Sequence, residues 1–324
     1  MRRFLFEHDY AERMASEIMP RLNLVRREGS FRVPDGTPLS YVVYDAPSPK
    51  GSVVILHGFT ESSEKYRELI FYFLEAGLSV YLYDQRGHGS SGRVVEPGLV
   101  HVGRFAEYVD DFCCFLHTVA ADSPSPRYLF SHSMGGAVAA LYLERGEVFF
   151  DKAILNAPMI APQHGELPLF LCRALCGTAR VLGLGKRRVF AMKKPDQRSG
   201  FERSSTASRV RYEAYREIKH QNSAYRSNAA TYAWTYAALG VTKRILAPGA
   251  PERIAIPVRL YAAEIDRLVQ SEPQKRFIAR VPKGEYCLVG GAKHEIYSAN
   301  DEILHPYLEG VLSFFEKEEG RDKA

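Results

Sequence analysis

Three side chains could do chemistry together. Ser133 stands between His132 and Met134-Gly135-Gly136 in the stretch YLFSHSMGGAVAALYLERG, residues 128–146. A serine in that place can be a nucleophile, or merely a hydroxyl that caps a helix by accepting backbone N–H groups. A nucleophile needs a base within hydrogen-bond reach, an acid to orient that base, and donors for the oxyanion. Asp266 in VRLYAAEID and His294 in GGAKHEIY could be that acid and base. His294 would take the Ser133 proton during attack on an ester carbonyl and return it to the leaving alcohol, while Asp266 holds the imidazole tautomer. The backbone N–H groups of Met134, after the serine, and of Phe59 in HGFT are the expected substrate-binding oxyanion donors. Each such donor typically contributes about 3 kcal/mol in the transition state.

Each assignment has competitors. Glu264 lies two residues before Asp266 on the same side of its strand, and Asp84 also follows an apolar run. Asp266 is preferred because it lies at the strand end; Asp84, in YDQRGHG, is expected to organise its turn by accepting backbone bonds. His294 has nine rivals. His57 and His88 sit in glycine-flanked turns and read as structural, His57 near the oxyanion donors, and His132 as a support for the serine's turn.

Strands and helices must alternate to bring such distant residues together. SVVILHGF (52–59), LSVYLYDQRGHG (78–89), RYLFSHS (127–133), DKAILNAP (151–158), IPVRLYAAEID (256–266) and GEYCLVGG (284–291) read as strands. They are apolar runs of the kind buried on both faces of a sheet. Between them, Tyr66, Leu69, Ile70, Phe73 and Leu74 recur at helical spacing, as do Phe105, Val109, Phe112 and Leu116. Leu304, Tyr307, Leu308, Val311 and Phe315 mark a closing helix, and a leading helix and two strands around GSFRV and LSYVVYD open the chain. Such alternation predicts a mostly parallel sheet with helices on both faces. From Met159 to Ala255 the rhythm is helical without a convincing strand, and the segment carries 17 Lys+Arg against 6 Asp+Glu. The expected organisation is an α/β core over 1–158 and 256–324, interrupted by a basic helical cap over 159–255.

In an open parallel sheet, reacting groups collect just past the carboxyl ends of the strands, where Ser133, Asp266 and His294 all fall. Their order, Ser then Asp then His, is that of the α/β-hydrolase sheet. HGFTESSEKY, YDQRGHGSSG, SHSMGG, AEIDRLV and GGAKHEIY together resemble the serine α/β-hydrolases that include monoacylglycerol lipases and bacterial lysophospholipases. The resemblance covers nearly the whole chain. In the cap, SSTASRVRYEAYREI and NAATYAWTYAAL look like the lysophospholipase branch. It implies an α/β-hydrolase core with an inserted cap, Ser133 as nucleophile, Asp266 as acid, His294 as base, and Phe59 and Met134 at the oxyanion. One departure stands out: the usual G-x-S-x-G elbow has Ser131 in place of its first glycine.

The bulk properties narrow the field. Charged residues at 25%, hydrophobic residues at 46% and a net charge of +5 describe an ordinary globular protein, with no nucleic-acid motif. No run of about 18 uncharged apolar residues occurs, and MRRFLFEHDYAERMASEIMPRL has no stretch of signal-peptide length. The expected location is the cytoplasm, with the inner membrane face as a site of peripheral contact. Five cysteines without paired spacing argue against a disulfide framework or a zinc site.

The expected activity is cleavage of the carboxylic ester of a single-chain lipid, a lysophospholipid first, through an acyl-serine. A monoacylglycerol lipase, a general carboxylesterase and an acyltransferase sharing that acyl-enzyme are the alternatives. A binding protein on a hydrolase fold would show a broken triad, and none of the three members is missing. No cofactor and no metal are expected, because the protein supplies nucleophile, base and oxyanion donors itself. The partners are the lipid ester and, through Lys186-Arg187-Arg188 and Lys193-Lys194, an anionic membrane; oligomeric state is not legible. Leu167, Leu171, Leu175 and Leu182 are expected either to line an acyl-chain groove or to pack the cap on the core.

Overall fold

A computed structural model describes residues 4–190 and 200–317. The eight-stranded sheet comprises β1 (Arg26–Arg32), β2 (Pro38–Tyr44), β3 (Gly51–Leu56), β4 (Leu78–Tyr83), β6 (Arg127–His132), β7 (Lys152–Asn156), β9 (Val258–Ala263) and β10 (Gly284–Val289). Two-residue strands β5 (Leu99–Val100) and β8 (Ala229–Ala230) pair separately. In the large sheet the order is β1-β2-β4-β3-β6-β7-β9-β10. β1 pairs antiparallel with β2, and β2 with β4; every other ladder is parallel.

The central strands are apolar along their whole length because both faces are covered. Val54 and Leu56 of β3 enter one buried cluster, while Val53 and Ile55 enter the other. Leu129 against Tyr128 and Phe130 repeats the alternation on β6, as the two-residue period of a strand demands. One face is covered by α4 (Ala106–Thr118) and α5 (Met134–Leu143). The other is covered by α3 (Arg67–Glu75), α11 (Asp301–Glu316) and the N-terminal helical turns that include α1 (Tyr10–Arg13) and α2 (Met19–Leu24). α10 (Ser271–Ile278) joins β9 to β10, as the spacing of PQKRFIARV predicts.

Between β7 and β9 the chain forms α6 (Leu169–Val181), α7 (Arg209–Gln221), α8 (Tyr232–Leu239) and α9 (Val241–Ile245). The short β8 is an addition to the expected all-helical pattern, and ties this segment to β5 of the core. Leu167, Leu171, Leu175 and Leu182, in and beside α6, do not pack the cap on the core: they are exposed, and the helix buries the small residues Cys176 and Ala179 instead. Lys193-Lys194 lie outside the described residues.

Candidate active site

The chain turns sharply from β6 into α5, and Ser133 takes the turn. Its backbone has φ 51° and ψ −116°, a left-handed conformation that a residue with a Cβ adopts only when its surroundings force it. They do so here. Ser133 donates its N–H to Asn156 O at 3.1 Å, and its carbonyl accepts from Met159 N at 2.8 Å. Two glycines allow α5 to start so close to the neighbouring strands. A Cβ at Gly135 would lie 2.4 Å from Leu56 O, and one at Gly136 would lie 2.5 Å from Pro158 Cβ. Ser131, the departure from the glycine pattern, is buried without harm: its hydroxyl donates to Ile154 O on the next strand at 3.3 Å.

Ser133 holds the N-cap position of α5 but makes no side-chain capping bond. Its hydroxyl lies 2.8 Å from His294 Nε2, and His294 Nδ1 lies 2.7 Å from Asp266 Oδ2. The other Asp266 oxygen accepts the N–H groups of Leu268 and Val269, at 2.8 and 3.1 Å. Burial pushes the Asp266 carboxyl up, but the hydrogen bond and charge of His294 and those two N–H groups outweigh it, leaving the group below its ordinary value. An ionised Asp266 can only accept, so the imidazole proton sits on Nδ1 and Nε2 is free to take the serine proton. The three expected residues are therefore brought into one relay from strand ends far apart in sequence.

Phe59 follows β3 on the side where α5 begins. Among the described residues, the N–H groups of Phe59 and Met134 donate to no protein acceptor. Met134 is fully buried, and Phe59 is covered by Trp234 of α8, with ring centroids 4.2 Å apart. Trp234 is in turn held by its indole N–H, which donates to Tyr108 Oη at 3.1 Å.

The competitors have other tasks. Asp84 accepts from Ser63 N and Ser90 N, organising its turn as expected. Glu264 accepts from Gly291 N in the loop that carries His294. His57 Nε2 accepts from Gln85 N, and its other nitrogen lies 2.8 Å from Gly58 O. His88 is held neutral first by burial and then by His57.

Sequence reasoning missed the support beneath this site. Glu61 is buried, and its carboxylate accepts from Gly58 N at 2.7 Å, Lys65 Nζ at 2.6 Å, and the hydroxyls of Tyr66 and Tyr297, both at 2.7 Å. Burial opposes its ionisation, but Lys65, the neighbouring His132 and these bonds keep its pKa well below the ordinary value. His132 lies between this carboxylate, at 3.7 Å, and the His294 ring, at 4.8 Å between centroids. Burial above all, against the pull of Glu61, lowers its pKa to about 3, and Asn156 Nδ2 donates to its Nδ1 at 2.9 Å. The visible signal was the acid three residues after Gly58 in HGFTE.

The chain matches the model of a family described as Serine aminopeptidase, S33, over residues 47–301. It is 30% identical to Lysophospholipase L2 of Escherichia coli strain K12 over 312 residues, covering 90% of this chain and 88% of that protein. A Monoacylglycerol lipase of Mycolicibacterium smegmatis is 34% identical over 160 residues, which is 49% of this chain and 54% of that one. The crystal structure of Paleococcus ferrophilus monoacylglycerol lipase superposes with a TM-score of 0.67 at 21% identity, over 85% of this chain and 97% of that one. With sheet order, elbow and family model in agreement, the chain belongs to the Serine aminopeptidase, S33, family of α/β-hydrolases, in the group of monoacylglycerol lipases and lysophospholipases.

Proposed function

We propose that this protein is a serine hydrolase that cleaves the carboxylic ester of a single-chain lipid, a lysophospholipid in the first place. One observation carries the chemistry: a Ser133 hydroxyl held in a strained turn 2.8 Å from an imidazole that is itself oriented by Asp266. Attack by Ser133 Oγ on the ester carbonyl forms a tetrahedral oxyanion, which the N–H groups of Phe59 and Met134 receive in this reading. His294 takes the serine proton and passes it to the leaving alcohol, giving an acyl-serine. Water then attacks the acyl group, with His294 as base, and releases the fatty acid. Hydrolysis of monoacylglycerol by the same steps is the second reading, favoured by the 34% identity over half the chain.

In this reading residues 159–255 act as a cap over the site, with Trp234 as its contact with Phe59. The exposed side of α6 supports peripheral contact with an anionic bilayer: Phe170 is 70% exposed, Leu175 54% and Leu182 68%, next to the exposed Lys186 and Arg187. Near an anionic surface each such charge contributes about 1 kcal/mol. Among the described residues no helix is long and apolar enough to cross a membrane.

The deciding experiment measures fatty-acid release from lysophosphatidylglycerol, lysophosphatidylethanolamine and monoacylglycerol in parallel, with Ser133→Ala as control. Preference for the lysophospholipids, abolished in the variant, is the expected result. Preference for monoacylglycerol would replace the first reading by the second, and activity untouched by Ser133→Ala would overturn both.

A further inference from the structure

A cavity of about 270 Å³ lies between the core loops around Asp35, Arg86 to Val95 and His101, and Lys186 of the inserted segment, and none of Ser133, Asp266 and His294 lines it. Its walls include Arg86, Arg93, His101 and Lys186, with Asp35 and Glu107 opposite. The charges do not pair off evenly. Arg86 is clamped by Asp111 and also bonds Asp35 at 2.9 Å and Glu107 at 3.3 Å, so both cavity carboxylates are already engaged. Arg93 and Lys186 have no ion pair among the described residues.

Arg93 is half-buried and holds only neutral acceptors. One end of its guanidinium donates to Ala224 O at 2.6 Å and Ser227 Oγ at 3.5 Å, and the other to Ser91 O at 3.3 Å. Its Nε is buried and has no partner. Burial lowers its pKa, and Asp84 offsets this only in part. A buried donor left unmade costs about 1–3 kcal/mol, and more when it is charged. His101 gives one ring nitrogen to Thr231 Oγ1 at 3.0 Å, leaving Nε2 without a protein partner among the described residues. Burial and then the charge of Lys186, which lines the same cavity, hold this histidine below its usual value.

We infer that this cavity is a binding site for a phosphate group. A guanidinium, an ammonium and an imidazole converging from the core and the cap suit an anion with three or more acceptor oxygens, where a carboxylate offers only two. A guanidinium fork without a carboxylate of its own is the donor that phosphate recognises best. The inference stands apart from the proposed ester hydrolysis, because the same site would take a free phosphate or the phosphodiester of a lipid head group. Either ligand would bridge Arg93 and His101 of the core to Lys186 of the cap. His101 is bonded to Thr231, whose side chain caps the helix that carries Trp234.

The test uses the full chain with Ser133→Ala, so that nothing is turned over, and titrates inorganic phosphate by calorimetry. Binding weakened by about tenfold in Arg93→Gln and about threefold in Lys186→Gln is the expected result. Lys186 is exposed, so its variant keeps the test decisive if Arg93→Gln does not fold. No binding by the parent, or equal affinity in the parent and the folded variants, would overturn the inference. A second arm separates the sources, using proteins with Ser133 intact. A head-group site lowers the ratio of kcat/KM for lysophosphatidylglycerol over monoacylglycerol in Arg93→Gln by about tenfold. A free-phosphate site leaves that ratio where it was while the calorimetric loss persists.

Discussion

Glu61 and Gly58 are joined by a hydrogen bond of 2.7 Å, from the backbone N–H of Gly58 to Glu61 Oε2. That bond fixes the loop whose next residue, Phe59, presents a free N–H to the site. A carboxylate three residues downstream thus holds the N–H that the proposed mechanism assigns to the oxyanion. Glu61→Gln keeps the shape but removes the charge that Lys65 and three other donors share. We expect kcat to fall about tenfold or more with KM little changed, since the donor is misaimed rather than lost. Stability should fall by about 2 kcal/mol, because a buried ion pair is broken. Steady-state kinetics together with urea unfolding check both, and an unchanged kcat would remove Glu61 from the site's support.

The relay itself makes a sharper demand. Ser133→Ala should abolish ester hydrolysis, and Asp266→Asn should lower kcat by about 10⁴-fold, as the loss of a triad carboxylate does elsewhere. The asparagine amide can donate toward Nδ1 and favours the wrong tautomer, so KM should change far less than kcat. Single-turnover measurements on both variants test this. A modest loss in Asp266→Asn would mean that another group orients His294.

Gly135 is constrained by backbone on the far side of the turn. An added Cβ would meet Leu56 O at 2.4 Å and His57 O at 2.6 Å, neither of which can swing away. Gly135→Ala is expected to destabilise the fold by about 2–3 kcal/mol and to separate the Phe59 and Met134 donors. The midpoint of chemical unfolding and kcat should fall together.

A pH effect should arise far from the serine. Glu144 ends α5, is buried, and has one side-chain oxygen without a partner. Burial pushes its carboxyl up to about 8, against the weaker pull of Arg253 and Arg280. The folded protein thus holds a proton that the unfolded chain releases near its ordinary value. The resulting stability is fully present below the unfolded pKa and is lost as pH rises through the folded one, between about 4.3 and 8. Glu144→Gln should flatten this dependence and raise stability at pH 8 by about 1–3 kcal/mol, with little change at pH 4.5. Urea titrations at the two pH values measure it, and parallel curves for variant and parent would refute it.

The sheet and the reacting residues were legible in the sequence for one reason: each of Ser133, Asp266 and His294 follows a strand whose apolar run is unmistakable. The parallel direction of β6, β7, β9 and β10 then carried all three to the same end of the sheet. Glu61 was not legible, because its partners, Lys65, Tyr66, Tyr297 and Gly58, converge only after the 57–66 loop packs under the His294 loop. The leucines of α6 misled for a different reason. Helical spacing shows that apolar residues share a side, but not what covers that side, and here the covered residues are the smaller Cys176 and Ala179. The pairing of β5 with β8 escaped notice because two residues are too few to show a period.

That short pairing has a mechanical consequence. Thr231 N–H adds a bond to Val100 O at 3.1 Å just beyond it. It is one fastening among several: Arg211 of α7 donates to Glu68 at 2.8 Å and to Asp301 at 3.0 Å, and Glu295 N–H donates to Ser205 O at 2.9 Å. A cover tacked down at several separate points does not swing as one flap. It acts as a sieve, whose openings are the gaps between the tacks.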